Sequence, residues 1–144
     1  IDDFVEVIEK TLNKISYRDY IKLDEKYIKL IMISYLMLSK IYFVKSEYEV
    51  EDGYIDIALF EREEVSTEDE GIIELKYIKK EEYENKGKVI IEDTLKEATE
   101  EIKKYKQAEE LKEKDNFKKW VLIFAGAECI KLVEIRNNSL KNPR

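Results

Sequence analysis

Two short segments, Gly53-Tyr54-Ile55-Asp56 and Ile73-Glu74-Leu75-Lys76, carry charged residues inside runs that have the composition of buried β-strands. Successive side chains of a strand point to opposite faces, so Glu74 and Lys76 share one face while the apolar residues beside them take the other. Ionised groups inside a sheet cost several kcal/mol unless they are paired or bound to a metal ion. Two acids and a lysine on neighbouring strands therefore predict a functional site.

The length and composition of the chain indicate one globular domain. Its 144 residues are close to the roughly 150 that a typical domain contains. Hydrophobic residues make up 44% of it, while four glycines and one proline leave little material for linkers, which argues against a disordered or fibrous protein. The longest apolar stretch, 28–38, is interrupted by Lys29 and is much shorter than the ~20 residues that span a bilayer, so it predicts a core helix.

The residue types that the sequence lacks restrict its chemistry. There is no histidine, which excludes histidine-based acid–base catalysis, and Cys129 is the one cysteine, which excludes an intramolecular disulfide and a cysteine-rich zinc site. A lone cysteine is typical of a reducing compartment, so we expect a cytoplasmic protein. Any metal ion must be held by oxygen ligands, which favours Mg²⁺, Mn²⁺ or Ca²⁺.

The charge distribution limits the binding partners. A formal net charge of −7 weighs against indiscriminate binding to nucleic acid, whose phosphates attract basic surfaces. Lysines are nevertheless concentrated at 76–88 and 103–119. A local basic rim is therefore compatible with the acidic total.

Periodicity and turn signals predict the order of helices and strands. Apolar spacing indicates a lead-in helix and a second helix, which begins either at the break near Ser16 or at Asp24. Asp52-Gly53 is a tight-turn signal, so the strands on either side of it should form a hairpin. In chain order, the patterns predict helices at 2–15 and 24–40, strands at 41–51, 54–60 and 71–78, a helix at 92–112, and strands at 120–125 and 129–135. Residues 61–70 and 79–87 have the composition of polar connections.

This order of elements, with Asp56 on the second strand and Glu74-Leu75-Lys76 on the third, resembles the PD-(D/E)XK nuclease superfamily over residues 24–135. More narrowly, the chain resembles the nuclease-like domain found at the C-terminus of bacterial AAA-type ATPase-like proteins. The residues that carry this second resemblance are Ser46-Glu47, Gly53-Tyr54-Ile55-Asp56, Ile72-Ile73-Glu74-Leu75-Lys76, Glu97-Ala98, Glu101-Ile102 and Tyr105.

The resemblance implies a fold and a division of the chain. The fold is α/β, with a restriction-endonuclease-like core of αβββαβ order and a mixed central sheet flanked by helices. A lead-in helix would occupy 1–16, the nuclease-like domain 17–136, and a C-terminal tail 137–144. The implied partners are nucleic acid of unknown type and an ATPase domain of the same full-length protein.

The resemblance also implies a divalent-metal site at the charged strands. Asp56, Glu74 and the backbone carbonyl of Leu75 would bind Mg²⁺, with Mn²⁺ as an alternative. Lys76 would orient or activate the attacking water. Glu25, on the helix before the sheet, matches the family's additional acid, which supports the metal or its waters.

The chemistry of phosphodiester hydrolysis suits such a site. A phosphodiester is anionic, so its cleavage needs positive charge on the phosphate oxygens and a deprotonated water in line with the leaving group. A hard cation held by carboxylates supplies that charge and lowers the pKa of a bound water without any histidine. A two-metal site needs carboxylates that bridge ions about 3.5–4 Å apart, and Glu25 would then supply the extra ligand.

Simpler interpretations compete with a functional role for each of these residues. Asp56 can pair with a lysine of a neighbouring strand, and Glu74 can form a structural ion pair with Lys76. Glu25 is favoured near the start of any helix by the helix dipole, and it can pair with Lys29 one turn later.

Four further features have a surface interpretation as well as a functional one. The family usually has Gln at the position of Glu101, so this departure adds negative charge near the site. Glu101 and Tyr105 are also explained by a solvated charge and a tyrosine at the core edge. Glu47, on the first strand, is typical of a surface residue. The lysines of 79–88 are typical of a solvated loop, although their position next to Lys76 suits phosphate contacts.

Two functions follow from these interpretations. The first is a metal-dependent nuclease built on Asp56, Glu74 and Lys76. The second is a catalytically degenerate nuclease-fold module that docks onto an ATPase domain or another protein, as the acidic connection 61–70 and the apolar face of the lead-in helix suggest. A structural Ca²⁺-binding domain is disfavoured, because no Asp-rich loop has EF-hand spacing.

Overall fold

A mixed five-stranded sheet, with its strands in chain order, organises the protein. The computed structural model describes residues 1–15, 22–65, 70–105 and 117–136. The helices are α1 (Asp2–Leu12), α2 (Glu25–Ser39), α3 (Lys80–Lys86) and α4 (Lys88–Tyr105). The strands are β1 (Tyr42–Val50), β2 (Gly53–Glu61), β3 (Glu70–Ile78), β4 (Phe117–Ala125) and β5 (Glu128–Glu134). The predicted α/β architecture, a mixed central sheet flanked by helices after a lead-in helix, is confirmed.

The connection between β3 and β4 makes the sheet mixed. These two strands pair in parallel along the whole of β3, whereas every other pair of neighbouring strands is antiparallel. Parallel neighbours need a crossover, and α3 and α4 lie on it. The predicted hairpin at Asp52-Gly53 joins β1 to β2.

The beginning of α2 is fixed by a local hydrogen bond. Asp24 is in an extended conformation, and its side chain accepts a hydrogen bond from the backbone N–H of Tyr27 at 3.0 Å. Such an N-cap satisfies an amide that has no partner inside the helix. Of the two predicted starts, the structure therefore has the one at Asp24, and the break predicted at Ser16 lies outside the described residues.

The central strand β3 is buried on both faces, which gives the domain two apolar layers. Ile73 and Leu75 pack in the layer formed with α1 and α2. Ile72 packs in the opposite layer beside Tyr105 of α4. Strands covered on both faces are typical of α/β proteins, and they hold any charged residue between them in low-dielectric surroundings.

Gly71 allows β3 to approach β4 closely. A Cβ atom added at Gly71 would lie 2.6 Å from the backbone oxygen of Lys118 and 2.6 Å from the ring of Trp120. Both neighbours belong to the sheet core, so neither can move away cheaply. Glycine is therefore required at the start of the strand that carries Glu74 and Lys76.

Three predictions about individual elements need correction. The connection predicted at 79–87 contains the helix α3, and α4 begins at Lys88 rather than near 92. The helix predicted to be a buried core element, α2, exposes part of its apolar surface, with Leu30 64% and Leu38 78% exposed. A helix on one face of a sheet buries a single stripe, and the apolar composition of α2 hides this asymmetry.

Other predictions fall outside the described residues. They concern the end of α4 near 112, the acidic residues 66–69 and the tail at 137–144. None of the helices in the described ranges combines the length and apolarity that crossing a membrane requires.

Candidate functional site

The hairpin of β1 and β2 is interrupted at one facing pair, Glu47 and Asp56. The ladder is complete on both sides in a single register, but these two residues do not pair. Glu47 has a φ of 48°, in the left-handed region that L-residues rarely adopt. The distortion is thus centred at Glu47, and it inserts no extra residue into the ladder.

The ladder between β2 and β3 ends at the same row. Its last pair is Ile57 with Ile73, immediately before Asp56 and Glu74, which the same register would place opposite each other. Glu47, Asp56 and Glu74 therefore lie on one row across three strands, where the backbone ladder fails on both sides of Asp56. Residues facing each other across neighbouring strands have Cβ atoms only about 5 Å apart, so three acids on one row repel strongly.

The residues of β2 on the two sides of this row pack in different apolar layers. Ile57 packs with the α1 and α2 layer, whereas Ile55 packs beside Tyr105 of α4. Two residues apart on a regular strand should share a face. The β1–β2 hairpin therefore twists between them, at the row where the β2–β3 ladder ends and leaves a gap beside β3.

The carboxylates of Asp56 and Glu25 contact the backbone of β3 in the gap that β2 leaves beside it. Asp56 Oδ2 accepts a hydrogen bond from the backbone N–H of Leu75 at 2.9 Å. The N–H and C=O of one strand residue face the same neighbour, so the carbonyl of Leu75 also faces the gap. Burial and the charge of Asp56 raise the pKa of Glu25, while Lys76, Lys29 and a hydrogen bond from the Tyr77 backbone lower it less.

We call Asp56, Glu47, Glu25 and Lys29 the α2 half of the site. Lys29 projects from α2, its side chain is 12% exposed, and its Nζ contacts the carboxylate of Glu47 and lies 3.7 Å from Asp56 Oδ1. Burial lowers the pKa of Lys29, but the hydrogen bond to Glu47 and the charges of Asp56 and Glu47 raise it overall. The group is therefore an ammonium ion, and it pairs with these acids across the fold.

We call Glu74, Lys76 and Glu101 the α4 half of the site. Lys76 Nζ lies 3.4 Å from Glu74 Oε1 and 3.1 and 3.2 Å from the two oxygens of Glu101. Glu74 is 3% exposed, and its Oε2 is buried without a hydrogen-bond partner. A buried carboxylate oxygen left unsatisfied is costly, so this atom marks where a ligand would be stabilised.

Glu74 and Asp56 lie in surroundings that disfavour their ionised forms. Burial, a hydrogen bond with Glu101 and the charge of Asp56 raise the pKa of Glu74 to about 9. Burial also raises the pKa of Asp56, although Leu75 and Lys29 oppose it. Burial lowers the pKa of Lys76, but Glu101 and Glu74 raise it more, so Lys76 stays protonated.

The residues of the site fit a hard divalent cation chemically. The donor atoms are carboxylate oxygens and a backbone carbonyl, which Mg²⁺ and Mn²⁺ prefer, and Glu74 Oε2 is the unsatisfied oxygen among them. Across 1–15, 22–65, 70–105 and 117–136, no three acidic or cysteine side chains already stand in the geometry of a metal site. Lysines keep the acidic side chains apart, because Lys29 and Lys76 each lie between two carboxylates.

The structure brings together Asp56, Glu74, Lys76, Glu25 and the backbone of Leu75. Glu101 joins them through Lys76 and is not simply a solvated charge. Tyr105 is 7% exposed and packs in the second apolar layer.

Of two features with a surface interpretation, one departs from it. Glu47 has a 55% exposed side chain, yet it pairs with Lys29. The lysines of 79–88 are exposed on or beside α3, in agreement with a solvated surface. Sequence reasoning missed Lys29 as a site residue. The available signal was a lysine that interrupts an apolar run one turn after Glu25.

Comparison with known proteins identifies a family. A family model described as the PD-(D/E)XK nuclease superfamily matches residues 23–134. No curated protein and no solved structure matches the chain.

Proposed function

The chain belongs to the PD-(D/E)XK nuclease superfamily, and on that premise we propose that it is a metal-dependent nuclease that hydrolyses phosphodiester bonds of nucleic acid. One observation carries the proposal: Asp56, Glu74 and Lys76 converge where the β2–β3 ladder ends, and Glu74 keeps a buried oxygen without a partner. Most buried polar atoms in folded proteins have a partner, so this oxygen favours a ligand-binding role over a purely structural one. The superfamily generally depends on a divalent metal ion.

Asp56, Glu74 and the carbonyl of Leu75 would hold Mg²⁺ or Mn²⁺, with Glu25 as the additional acid. When bound, the cation supplies positive charge to the phosphate oxygens and an acidified water for attack. Asp56 is oriented for this role by the N–H of Leu75, which fixes one of its oxygens. Glu25 lies on the first turn of α2, and its charge interacts with that of Asp56.

Lys76 orients the attacking water and stabilises negative charge on the phosphate. Its pKa is raised by Glu101 and Glu74, so it carries a proton at neutral pH and cannot accept one from the water. An ammonium with three donors can hold a water and a phosphate oxygen together. Glu101 positions Lys76 by accepting two hydrogen bonds from it.

The test is cleavage of labelled single-stranded and double-stranded DNA and RNA in Mg²⁺ or Mn²⁺, with EDTA as the blank. The wild-type protein should cut at least one substrate, and Asp56→Asn and Lys76→Met should lose that activity while keeping the wild-type circular dichroism. Matched controls are Asp52→Asn and Lys26→Met, which change exposed residues of the same types. Cleavage that persists in Asp56→Asn would refute the proposal.

A second function is favoured by the apolar surface around α2. A cavity of about 380 Å³ opens between α1 and α2 beside the sheet, and the neighbouring Leu30, Met37 and Leu38 are exposed. Exposed apolar patches of this kind mark protein interfaces. We propose as the alternative that the chain is a degenerate nuclease-fold module that docks onto an ATPase domain or another protein. Mn²⁺ binding that depends on Asp56 would count against it.

A further inference from the structure

Lys29 is a largely buried cation of the site that lies outside the charged strand motifs. It projects from α2 four residues after Glu25, with 12% of its side chain exposed. A buried ammonium is stable only when carboxylates surround it, and Glu47 and Asp56 do so from two strands. This lysine therefore belongs to the electrostatics of the site and not to the helix surface.

The geometry at Asp56 makes Lys29 a neighbour of any ion bound there. One oxygen of Asp56 accepts the amide of Leu75, and the other, Oδ1, lies 3.7 Å from Lys29 Nζ. A divalent cation on Asp56 would stand within a few ångströms of the ammonium, and like charges at that range in a partly buried site repel strongly. Lys76 differs, because its shortest contacts are to Glu101.

Glu47 would remain a charge partner of Lys29 when a cation binds Asp56. The left-handed backbone at Glu47 accompanies the break in the ladder, and the Glu47 carboxylate contacts Lys29 more closely than Asp56 does. Glu47 is also the more exposed of the two acids, at 55% against 13%. Lys29 can thus leave Asp56 without losing its charge partner.

We propose that Lys29 is a resident counter-ion that neutralises Asp56 in the metal-free protein and competes with the divalent cation for that carboxylate. It thereby sets the cation concentration that the site requires. This inference rests on the proposed function, since the competing cation is the one that Asp56 and Glu74 would hold. Lys29 acts through Asp56 and is a positioning residue.

The test is calorimetric titration of Mn²⁺ into EDTA-treated, dialysed protein, with no nucleic acid present. Lys29→Met should bind Mn²⁺ at least about tenfold more tightly than wild type, because the competing charge is gone. Lys29→Arg, which keeps the charge, and Lys26→Met, which removes an exposed lysine of the same helix, should stay within about twofold of wild type. Asp56→Asn should remove the binding.

The outcomes separate this inference from the proposed function. If wild type binds Mn²⁺ through Asp56 but Lys29→Met binds equally or more weakly, the inference is wrong and the metal site stands. If no variant binds Mn²⁺ through Asp56, the proposed function fails and the competition fails with it. A lysine with a purely structural role would weaken Mn²⁺ binding when replaced, which is the opposite sign.

A metal-free measurement tests the counter-ion role by itself. In EDTA, Lys29→Met should lower the urea midpoint of the wild-type protein more than it lowers the midpoint of Asp56→Asn, because one of its charge partners is absent there. Equal shifts in the two backgrounds would show that Lys29 and Asp56 are not coupled, and would overturn the proposal.

Discussion

The two halves of the site are built from the same parts but are held differently. Each places one ammonium between two carboxylates: Lys29 with Asp56 and Glu47, and Lys76 with Glu74 and Glu101. In the α2 half, both oxygens of Asp56 have partners. In the α4 half, Glu74 is more deeply buried and keeps one oxygen without a partner.

This difference predicts different responses of the two halves to a cation, although both consist of an ammonium between two carboxylates. A satisfied pair is stable without metal, so the α2 half resists a new ligand. An unsatisfied buried oxygen is destabilising until a ligand arrives, so the α4 half favours one. On the proposed function, the α4 half would attract the cation and the α2 half would set the concentration at which it binds.

The largest expected effect comes from Asp56→Asn, which removes the acid of the α2 half that would bind the cation. Asn keeps an oxygen for the N–H of Leu75, so the fold should survive. Cleavage should fall by on the order of 10³-fold, because the cation that supplies positive charge to the phosphate would no longer be held there. The rate with the preferred substrate measures it, beside the exposed control Asp52→Asn. A loss below tenfold would mean that Asp56 does not hold the cation.

The next largest effect is expected from Lys76→Met in the α4 half. Loss of the ammonium removes the donor that orients the water, and the rate should fall on the order of 10²-fold. Lys76→Arg should recover little, because a planar guanidinium does not replace a compact ammonium. Single-turnover rates at saturating Mn²⁺ check this prediction. Full activity in Lys76→Met would reduce Lys76 to an ion-pair partner.

Glu74→Gln should stabilise the metal-free protein at alkaline pH. Burial raises the pKa of Glu74 from 4.5 to about 9, so the folded state keeps a proton that the unfolded chain releases. Wild-type stability should therefore fall as pH rises through this range. Above neutrality the variant should be more stable by on the order of 2 kcal/mol, about 30-fold in the folding equilibrium.

Urea unfolding in EDTA at several pH values measures this difference. Added Mn²⁺ should stabilise wild type and leave Glu74→Gln unchanged, because ligands stabilise only the state that binds them. Parallel pH curves for the two proteins would contradict the strained state assigned to Glu74.

The smallest effect is expected from Glu101→Gln, which restores the residue type that the resemblance implies for this position. Gln can still accept a hydrogen bond from Lys76, but it lowers the negative charge of the α4 half. We expect a rate change below about tenfold, since the change is confined to positioning. Glu97→Gln, one turn earlier and exposed, is the control. A loss as large as that of Lys76→Met would make Glu101 a direct participant.

The sequence revealed the α4 half better than the α2 half, for a physical reason. Glu74 and Lys76 share a strand, and the period of a strand places them on one face without any knowledge of the fold. Lys29 meets Asp56 only because α2 packs across the sheet, and no spacing in the sequence records that meeting. Sequence patterns therefore disclose contacts within an element sooner than contacts between elements.

The break in the strand ladder beside Asp56 was also not predictable from the sequence. The ladder fails beside Asp56 through a twist shared by two strands, and this depends on which layer Ile55 and Ile57 enter. The helix α3 was missed because lysine and glutamate are typical of solvated loops and of exposed helices alike.

The most direct test of the central claim is an anomalous difference map from a crystal of the protein soaked in Mn²⁺. We expect one strong peak in contact with Asp56, Glu74 and the carbonyl of Leu75, with Lys29 moved away from Asp56 toward Glu47. Strong peaks on surface carboxylates alone, with Lys29 still beside Asp56, would contradict the assignment of this site as a metal centre.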